Sequence, residues 1–396
     1  MGGPADAARA SLPCAVRLLY LHYGPQSGVT PSIARALAAA GVEVLHANPM
    51  ERFLWRLRPG WPIPNLRPAP VRAFFEAVRA HGRSWKTFWC HTTFAFDHLS
   101  SLAGEAIRRT RPDAVLQAGA LFGPGRFAEV PYHLYLDHTR AIAERYERLP
   151  GLDPPPPSDP AWRAREHAVY RGAAGIFTMS EFVKGSLVRD YGVDPDRIHV
   201  VGAGPNVAPT PGDPPALREK AILFVGRHFV PKGGHALVQA FRRVRLAHPD
   251  AQLWIVSQTA PADLPDGAEH LGLLDPDALA ARYRRASVFV LPTLREAFGL
   301  SFVEAMAFGL PVVAPRIEAI PEIVSDGESG VLVPPGDTDA LGRAVGDLLA
   351  DPVRARLMGA AGRARAAERF GWDRAVARML AVMRPPRLSV APVQAS

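Results

Sequence analysis

Cysteine, lysine and long apolar runs are all scarce in this chain of 396 residues. Its two cysteines, Cys14 and Cys90, form neither a disulfide framework nor the paired spacing of a zinc site, which favours a reducing compartment. No run reaches the roughly 18 apolar residues that a membrane-spanning helix needs. Residues 1–10 lack the basic and apolar segments of a secretory signal. We therefore expect a cytoplasmic protein, one that could lie peripherally on the inner face of the membrane.

The positive charge is carried by arginine, since only four of the 46 basic residues are lysines. Residues 1–150 hold 18 basic and 11 acidic groups. Their net charge of +7 is nearly the whole net charge of the chain, which is +8. Within them, residues 51–90 hold eight basic and two acidic groups, interleaved with Trp55, Trp61, Trp85 and Trp89. Such a mixture is found at membrane interfaces and in nucleic-acid sites, and also on ordinary variable surfaces. We expect no nucleic-acid partner and keep a membrane surface as a hypothesis.

Buried-strand patterns alternate with helical patterns along the chain, which predicts an α/β fold. Strands are predicted at residues 15–21, 41–45, 114–117, 132–136, 175–178, 198–201, 221–225, 252–256, 286–292 and 311–315. Strand–helix–strand order implies parallel sheets with right-handed crossovers. The proline cluster at 209–215 is the predicted linker. The prediction is two doubly wound, Rossmann-like domains, residues 1–208 and 209–371, facing a cleft.

The most informative motif is Glu-Ala-Phe-Gly-Leu-Ser-Phe-Val-Glu at residues 296–304. A strand pattern precedes it and another follows it, so the motif is a loop that turns into a helix. Backbone amides at such a helix N-terminus bind anions. The carboxylates of Glu296 and Glu304 cannot attract phosphate, but they accept hydrogen bonds from the hydroxyl groups of a sugar or a ribose. A nucleotide sugar carries both kinds of group.

Arg227 and Lys232 stand on either side of a short loop that follows a predicted strand, and Lys232 directly precedes two glycines. Glycine lets a backbone approach a ligand closely, and two cations can neutralise a diphosphate. A departing nucleoside diphosphate needs that compensation. Fixed cations can replace a bound metal ion, so we expect no metal site and no cofactor. Taken alone, the two residues would be a surface pair flanking a tight turn; the later motif favours the ligand site.

Together these motifs resemble those of the retaining glycosyltransferases with the GT-B fold, of the group 1 type, which include glycogen synthases and bacterial mannosyltransferases. The order and spacing match at the E-x7-E block, at 224–227 with 232–234, at 304–311 and at 325–330. The resemblance is strong over the C-terminal half and loose over the N-terminal half. It implies a metal-independent, retaining transfer from a nucleoside diphosphate sugar to an acceptor such as a cell-envelope glycan or a lipid-linked saccharide. It also implies that residues 372–396 begin with a helix crossing back to the N-terminal domain.

The resemblance implies roles for individual residues at the donor. Glu296 would contact the hydroxyls of the donor sugar, and Glu304 those of the ribose. The diphosphate would accept hydrogen bonds from the amides of Phe298, Gly299 and Leu300.

Two further assignments come from the N-terminal half. His138 follows the predicted strand at 132–136, in the place where the family carries a histidine near the donor sugar. It would donate to a sugar hydroxyl or help to position the anomeric carbon. Gly28 resembles the family's glycine-rich loop and is assigned to donor binding, although this chain has Gly24-Pro-Gln-Ser-Gly28 instead of paired glycines.

Other proteins share doubly wound sheets. A nicotinamide dehydrogenase is excluded, because Pro205-Asn206 follow Gly202-Ala-Gly204 where a third glycine and a helix should develop. A glycosyl phosphorylase or a GT-B-fold epimerase would explain the E-x7-E block less well. A non-catalytic nucleotide-sugar-binding protein is the open alternative, and it would bind donor tightly without transferring or hydrolysing it.

Overall fold

The computed structural model describes residues 16–51, 53, 55–58, 61–64, 67–124, 130–146, 155–210 and 219–383. They divide into two compact units. The first contains the described residues up to Leu134, with 159–175 and 376–383, and the second contains the described parts of 135–158 and 176–375. The predicted domain limits at 208 and 371 stay a prediction, and most of the predicted linker, from residue 211 on, lies outside the described residues.

The first parallel sheet is built from short apolar strands. They are β1 (Arg17–Leu21), β2 (Glu43–Ala47), β5 (Ala114–Ala118), β6 (Tyr132–Leu136), β7 (Gly175–Thr178) and β8 (Ile198–Val200), in the order β2-β1-β5-β6-β7-β8. Two strands between β2 and β5, β3 (Trp55–Arg58) and β4 (Trp61–Pro64), form a separate antiparallel hairpin. Every residue of β5 and β6 is buried, as expected of strands covered on both faces.

Helices join the strands of this sheet, and several begin at a capping side chain. They are α1 (Val29–Ala39), α2 (Pro68–His81), α3 (Trp85–Phe88), α4 (Thr93–Thr110), α5 (Arg140–Glu144), α6 (Pro160–Gly172) and α7 (Glu181–Tyr191). Thr92, Asp159 and Ser180 each accept a hydrogen bond from an amide in the first turn of the helix that follows. These side chains fix where α4, α6 and α7 start.

The second parallel sheet repeats the pattern. Its strands are β9 (Ala221–Val225), β10 (Gln252–Val256), β11 (Ala268–Gly272), β12 (Val288–Val290), β13 (Val312–Pro315) and β14 (Gly330–Val333), in the order β11-β10-β9-β12-β13-β14. Its helices are α8 (Gly234–Ala247), α9 (Pro276–Arg285), α10 (Leu300–Ala307), α11 (Ile320–Ile323), α12 (Thr338–Ala350) and α13 (Pro352–Arg369). The last helix, α14 (Trp372–Met383), belongs to the first unit from Val376 on. The core of the second sheet consists of the fully buried residues 222–224, 288–290 and 312–314.

The order of the strands in this second sheet determines where a ligand can bind. The chain runs outward from β9 through β10 to β11 and then returns to the other side of β9 with β12. The chain therefore leaves β9 and β12 toward opposite sides of the sheet, and in sheets of this kind the ligand crevice lies at the carboxyl ends of two such strands. The loops after both strands carry predicted site residues.

The structure confirms the predicted α/β fold with two parallel six-stranded sheets. It adds β11, β14 and the β3–β4 hairpin, which the sequence patterns did not predict. No helix within the described ranges is both long and apolar enough to cross a membrane.

Candidate active site

The loops after β9 and β12 touch each other at a glycine. Gly233 has a φ of 76°, and a Cβ atom there would lie 1.8 Å from the carbonyl oxygen of Pro292. Only a glycine fits both the backbone conformation and the close approach. The amide of Leu294 also donates to the Pro231 carbonyl at 3.0 Å. The two loops are therefore held as one rigid rim around the crevice.

Lys232 and Glu296 meet on this rim. The Nζ atom of Lys232 lies 2.7 Å from Oε2 of Glu296, and the two side chains are 26% and 9% exposed. The stem of Lys232 lies over Gly226, where a Cβ atom would come within 2.9 Å of it. The structure thus brings together two residues that the sequence places 64 positions apart. The amine is still open enough to contact an incoming anion.

Arg227 begins the same loop, directly after the β9–Gly226 segment. Its side chain is exposed, and its carbonyl oxygen accepts a hydrogen bond from the Gln258 amide at 2.9 Å. That bond fixes the backbone and leaves the guanidinium in solvent. A contact between Arg227 and a diphosphate stays a prediction.

The N-terminus of α10 has no side-chain cap. Gly299 precedes the helix with a φ of 110°, and a Cβ atom there would lie 2.5 Å from the ring of Phe302. The first amides of a helix, here those of Leu300 and its neighbours, have no partner within the helix and can donate to an anion. The ring of Phe298 is buried and lies edge-on to Phe370 at 6.1 Å, which anchors the turn.

Glu304 is buried in α10 and already has several hydrogen-bond donors. Its carboxylate accepts from the Tyr283 hydroxyl at 3.0 Å and from the amides of Asn206 and Val207 at 3.2 and 3.4 Å. Burial raises the pKa of Glu304 to about 7, although these hydrogen bonds act in the opposite direction. A ribose hydroxyl would have to join or displace one of these donors, so the predicted contact with ribose stays a prediction.

His138 lies after β6 and contacts a tyrosine. Its Nε2 atom is 2.7 Å from the hydroxyl of Tyr146. Burial lowers the pKa of His138 to about 4, so the imidazole is neutral at pH 7. The guanidinium of Arg295 lies 4.4 Å from the centre of the Tyr146 ring, and burial together with Glu318 raises the pKa of the phenol. His138 is thereby linked to the residue that precedes Glu296.

Glu318 completes this cluster from the loop after β13. Its carboxylate accepts a hydrogen bond from the backbone amide of Glu296 and forms another with the Tyr146 hydroxyl. Burial raises the pKa of Glu318. The sequence analysis missed Tyr146, Arg295 and Glu318. Two of them could have been found from the sequence, because Glu318 follows the strand next to β12 and Arg295 adjoins Glu296. No sequence feature pointed to Tyr146.

Gly28 lies in the first compact unit, whereas the other predicted site residues lie in the second. It precedes α1 with a φ of 90°, and its amide donates to the Pro25 carbonyl at 2.9 Å. Gln26 and Ser27 before it also have positive φ values, 46° and 55°. The glycine is required by this strained loop, and its contact with the donor stays a prediction.

Aspartates that begin three Asp-x-Asp triplets serve as helix caps. Among the described residues, no group of three or more His, Cys, Asp or Glu side chains could hold a metal ion. Three Asp-x-Asp triplets begin at Asp194, Asp275 and Asp337. Each first aspartate caps a helix, accepting from the amides of Asp196, Ala278 and Ala340 respectively.

Two family models match the chain in succession. The model described as "Glycosyl transferase 4-like domain" matches residues 26–204, and "Glycosyl transferases group 1" matches residues 219–351. The D-inositol 3-phosphate glycosyltransferase of Acidothermus cellulolyticus is 32% identical over 68% of this chain and 70% of its own length. The enzyme of that name from Segniliparus rotundus is 36% identical over 50% of this chain and 49% of its own length. The MMP alpha-(1->4)-mannosyltransferase of Mycolicibacterium hassiacum is 33% identical, over 54% of each chain. The chain thus spans about half the length of these last two relatives.

Solved structures show the fold. Sucrose-phosphate synthase from Thermosynechococcus elongatus superposes with a TM-score of 0.69 and 21% identity over 93% of this chain and 98% of its own. WaaG, a glycosyltransferase involved in lipopolysaccharide biosynthesis, superposes with a TM-score of 0.64 and 14% identity, over 93% of this chain and 99% of its own. Anabaena HepE in complex with UDP and glucose superposes with a TM-score of 0.61 and 14% identity, over 92% of this chain and 99% of its own. The two parallel sheets and these superpositions show the GT-B fold, and the family models with the Acidothermus relative show that the chain belongs to the group 1 glycosyltransferases.

Proposed function

We propose that this glycosyltransferase moves a sugar from a nucleoside diphosphate sugar to an acceptor hydroxyl, with retention of configuration and without a metal ion. The observation that carries the proposal is the pairing of Lys232 with Glu296 at 2.7 Å, on the rim of the crevice between β9 and β12. A cation for phosphate and a carboxylate for hydroxyl groups lie side by side there. A nucleotide sugar presents both groups within a few bonds of each other.

The chemistry assigns a separate task to each part of the rim. When the bond between the anomeric carbon and the diphosphate oxygen breaks, the electron pair leaves with the nucleoside diphosphate. Lys232, Arg227 and the first amides of α10 stabilise that charge. The Lys232 amine then exchanges part of its contact with Glu296 for the phosphate, which frees a Glu296 oxygen for a sugar hydroxyl. The acceptor hydroxyl attacks the anomeric carbon from the same face and passes its proton to the departing diphosphate oxygen as the new glycosidic bond forms.

Structural neighbours support the class of donor. The Anabaena protein was solved with UDP and glucose, and TarM was solved with UDP and an α-GlcNAc-glycerol. Retention is supported by the family resemblance of the motifs. Fixed cations at Arg227 and Lys232 support a mechanism in which the protein itself neutralises the leaving group.

A membrane surface is the proposed location of the acceptor, as a lipid-linked saccharide or cell-envelope glycan. Within the basic segment 51–90, α2 exposes Phe75 by 66%, Val78 by 37% and Phe74 by 36%. The ring of Trp85 packs edge-on against Phe74 at 4.8 Å, next to Lys86. Apolar side chains beside cations fit an anionic lipid surface. The side chains of Trp55 and Trp61 lie outside what the structure describes.

A thermal-shift screen tests the donor. Purified protein is melted with UDP-, GDP- and ADP-sugars, each with and without EDTA. A ligand at 100 times its Kd should stabilise the fold by about 2.7 kcal/mol. We expect one nucleotide class to raise the Tm equally with and without EDTA. Stabilisation that EDTA abolishes would contradict the metal-free site, and no stabilisation by any nucleotide would contradict the donor class. Stabilisation without transfer or hydrolysis would favour the non-catalytic binding protein.

A further inference from the structure

Glu318 has an unusual backbone conformation for a glutamate. Its φ is +48°, and among the described residues only Gln26, Ser27 and Arg111 are other non-glycine residues with positive φ. Arg111 is explained by its position at the C-terminal cap of α4. Glu318 caps no helix and lies between β13 and α11. A strained residue persists where its surroundings over-determine it, and such residues cluster at functional sites.

The contacts of the Glu318 side chain point to the donor site. Its carboxylate accepts from the backbone amide of Glu296, the residue that pairs with Lys232. It is also hydrogen-bonded to the Tyr146 hydroxyl, which lies 2.7 Å from His138. A glycine would adopt the same φ without strain. The strain is therefore the consequence of keeping a carboxylate at this point.

The single proton of the Tyr146 hydroxyl orders the hydrogen bonds of the cluster. With Glu318 ionised, its carboxylate can only accept, so Tyr146 donates to Glu318. The phenol oxygen then accepts from Nε2–H of His138. Arg295 covers the Tyr146 ring at 4.4 Å and holds it in place. One carboxylate thus holds the backbone amide of Glu296 and, through Tyr146, reaches Nε2 of His138. The His138 ring also forms a hydrogen bond with the backbone of Thr139.

We propose that Glu318 and Tyr146 are positioning residues of the donor site, Glu318 by holding the backbone of Glu296 and Tyr146 by orienting the imidazole of His138. The inference rests on the proposed function, because it takes Glu296 and His138 to face the donor sugar. Neither residue of the pair needs to touch substrate. A misplacement of about 1 Å at a reacting centre can cost 10²-fold in rate, which makes the pair measurable.

The test compares two glycine substitutions with the same backbone geometry. Glu318→Gly and Arg111→Gly both relieve a strained φ, of 48° and 47°, and the Arg111 side chain is exposed. Both variants should keep or raise the Tm. Only Glu318→Gly should lose activity, by about 10²-fold in kcat/KM, with kcat affected more than the donor KM. Tyr146→Phe keeps the ring under Arg295 and should lose about tenfold. Glu318→Gln keeps an acceptor for the Glu296 amide and should lose less than Glu318→Gly.

The assay is release of nucleoside diphosphate from UDP-glucose, GDP-mannose and ADP-glucose. Wild-type kcat/KM in Glu318→Gly would overturn the inference. A Tm of Glu318→Gly that falls together with its activity would also overturn the inference, because Glu318 would then stabilise the fold rather than position the site. If the wild type released nothing from any donor, the proposed function would fail separately. The pair would still be tested by the imidazole ¹⁵N spectrum of His138, which should show a proton on Nε2 that Tyr146→Phe removes or shifts. An unchanged spectrum in that variant would overturn the inference.

Discussion

Replacing Glu304 by glutamine should flatten the pH dependence of stability. Burial raises the pKa of this carboxyl from 4.5 to about 7 in the folded protein. Between those two values the folded state keeps a proton that the unfolded state has released. Stability rises with pH only where the unfolded state binds more protons, so here it must fall as the pH rises. The contribution is present in full below pH 4.5 and is lost above about pH 7.

The size of this loss follows from the two pKa values. A tenfold difference in proton affinity is worth about 1.4 kcal/mol. The rise from 4.5 to about 7 therefore corresponds to about 3 kcal/mol of unfolding free energy. Glutamine has nearly the same volume and an oxygen that can accept from the amides of Asn206 and Val207. It carries no titrating proton, so the variant should lack this loss.

Urea unfolding of both proteins at pH 5, 6, 7 and 8 measures the effect. His138, with its pKa lowered to about 4, acts in the opposite direction, since its contribution grows as the pH rises from about 4 to its ordinary 6.5. It is present in both proteins and cancels from the difference between them. We expect the wild type to lose about 2.5 kcal/mol relative to Glu304→Gln between pH 5 and pH 8, because part of the total falls below pH 5. Parallel pH profiles for the two proteins would refute the reasoning.

Three further predictions follow from the rim and from α2. Lys232→Ala should lower kcat by about 10²-fold, as the loss of a preorganised electrostatic group does. The control Lys220→Ala, at the opposite end of β9, should leave kcat unchanged. Equal losses of kcat in the two variants would contradict the role of Lys232. Gly233→Ala should lower the Tm far more than Gly336→Ala, because both have a φ near 77° but only the first Cβ would strike a carbonyl; equal losses would show that the close approach is unimportant. Wild-type protein should float with vesicles rich in anionic lipid at low salt, and Phe75→Ser should float less. No flotation of the wild type would remove the membrane hypothesis.

The fold was predictable because most strands of both sheets are continuous apolar runs bounded by turn residues. β11 was missed because it is a polar edge strand that includes Glu269 and His270, so it has no buried-strand pattern. The β3–β4 hairpin was missed because Pro62 and Pro64 lie within it, and proline argues against a strand. β14, which was also missed, is the other edge strand of the second sheet, so none of the missed strands lies in the interior of a sheet.

The site divides in the same way into local and long-range parts. The local part could be assigned from short sequence motifs in which a loop leads into a helix. These motifs contain Lys232, Glu296 and Gly299. His138 was assigned from the family resemblance, but its link through Tyr146 to Glu318 depends on packing between residues far apart in sequence. Glu318 also breaks the local rule, because its positive φ favours glycine. Such a residue can be recognised only once the backbone is known.

The most direct test of the central claim is to follow the enzyme with a nucleotide sugar by real-time ¹H NMR in the presence of excess EDTA. The donor is the nucleotide sugar that raises the Tm. We predict release of nucleoside diphosphate and a first-formed sugar product with the anomeric configuration of the donor, before mutarotation. The inverted anomer as first product would contradict retention. A stable donor spectrum that changes only when a divalent metal ion is added would contradict the metal-free leaving-group site.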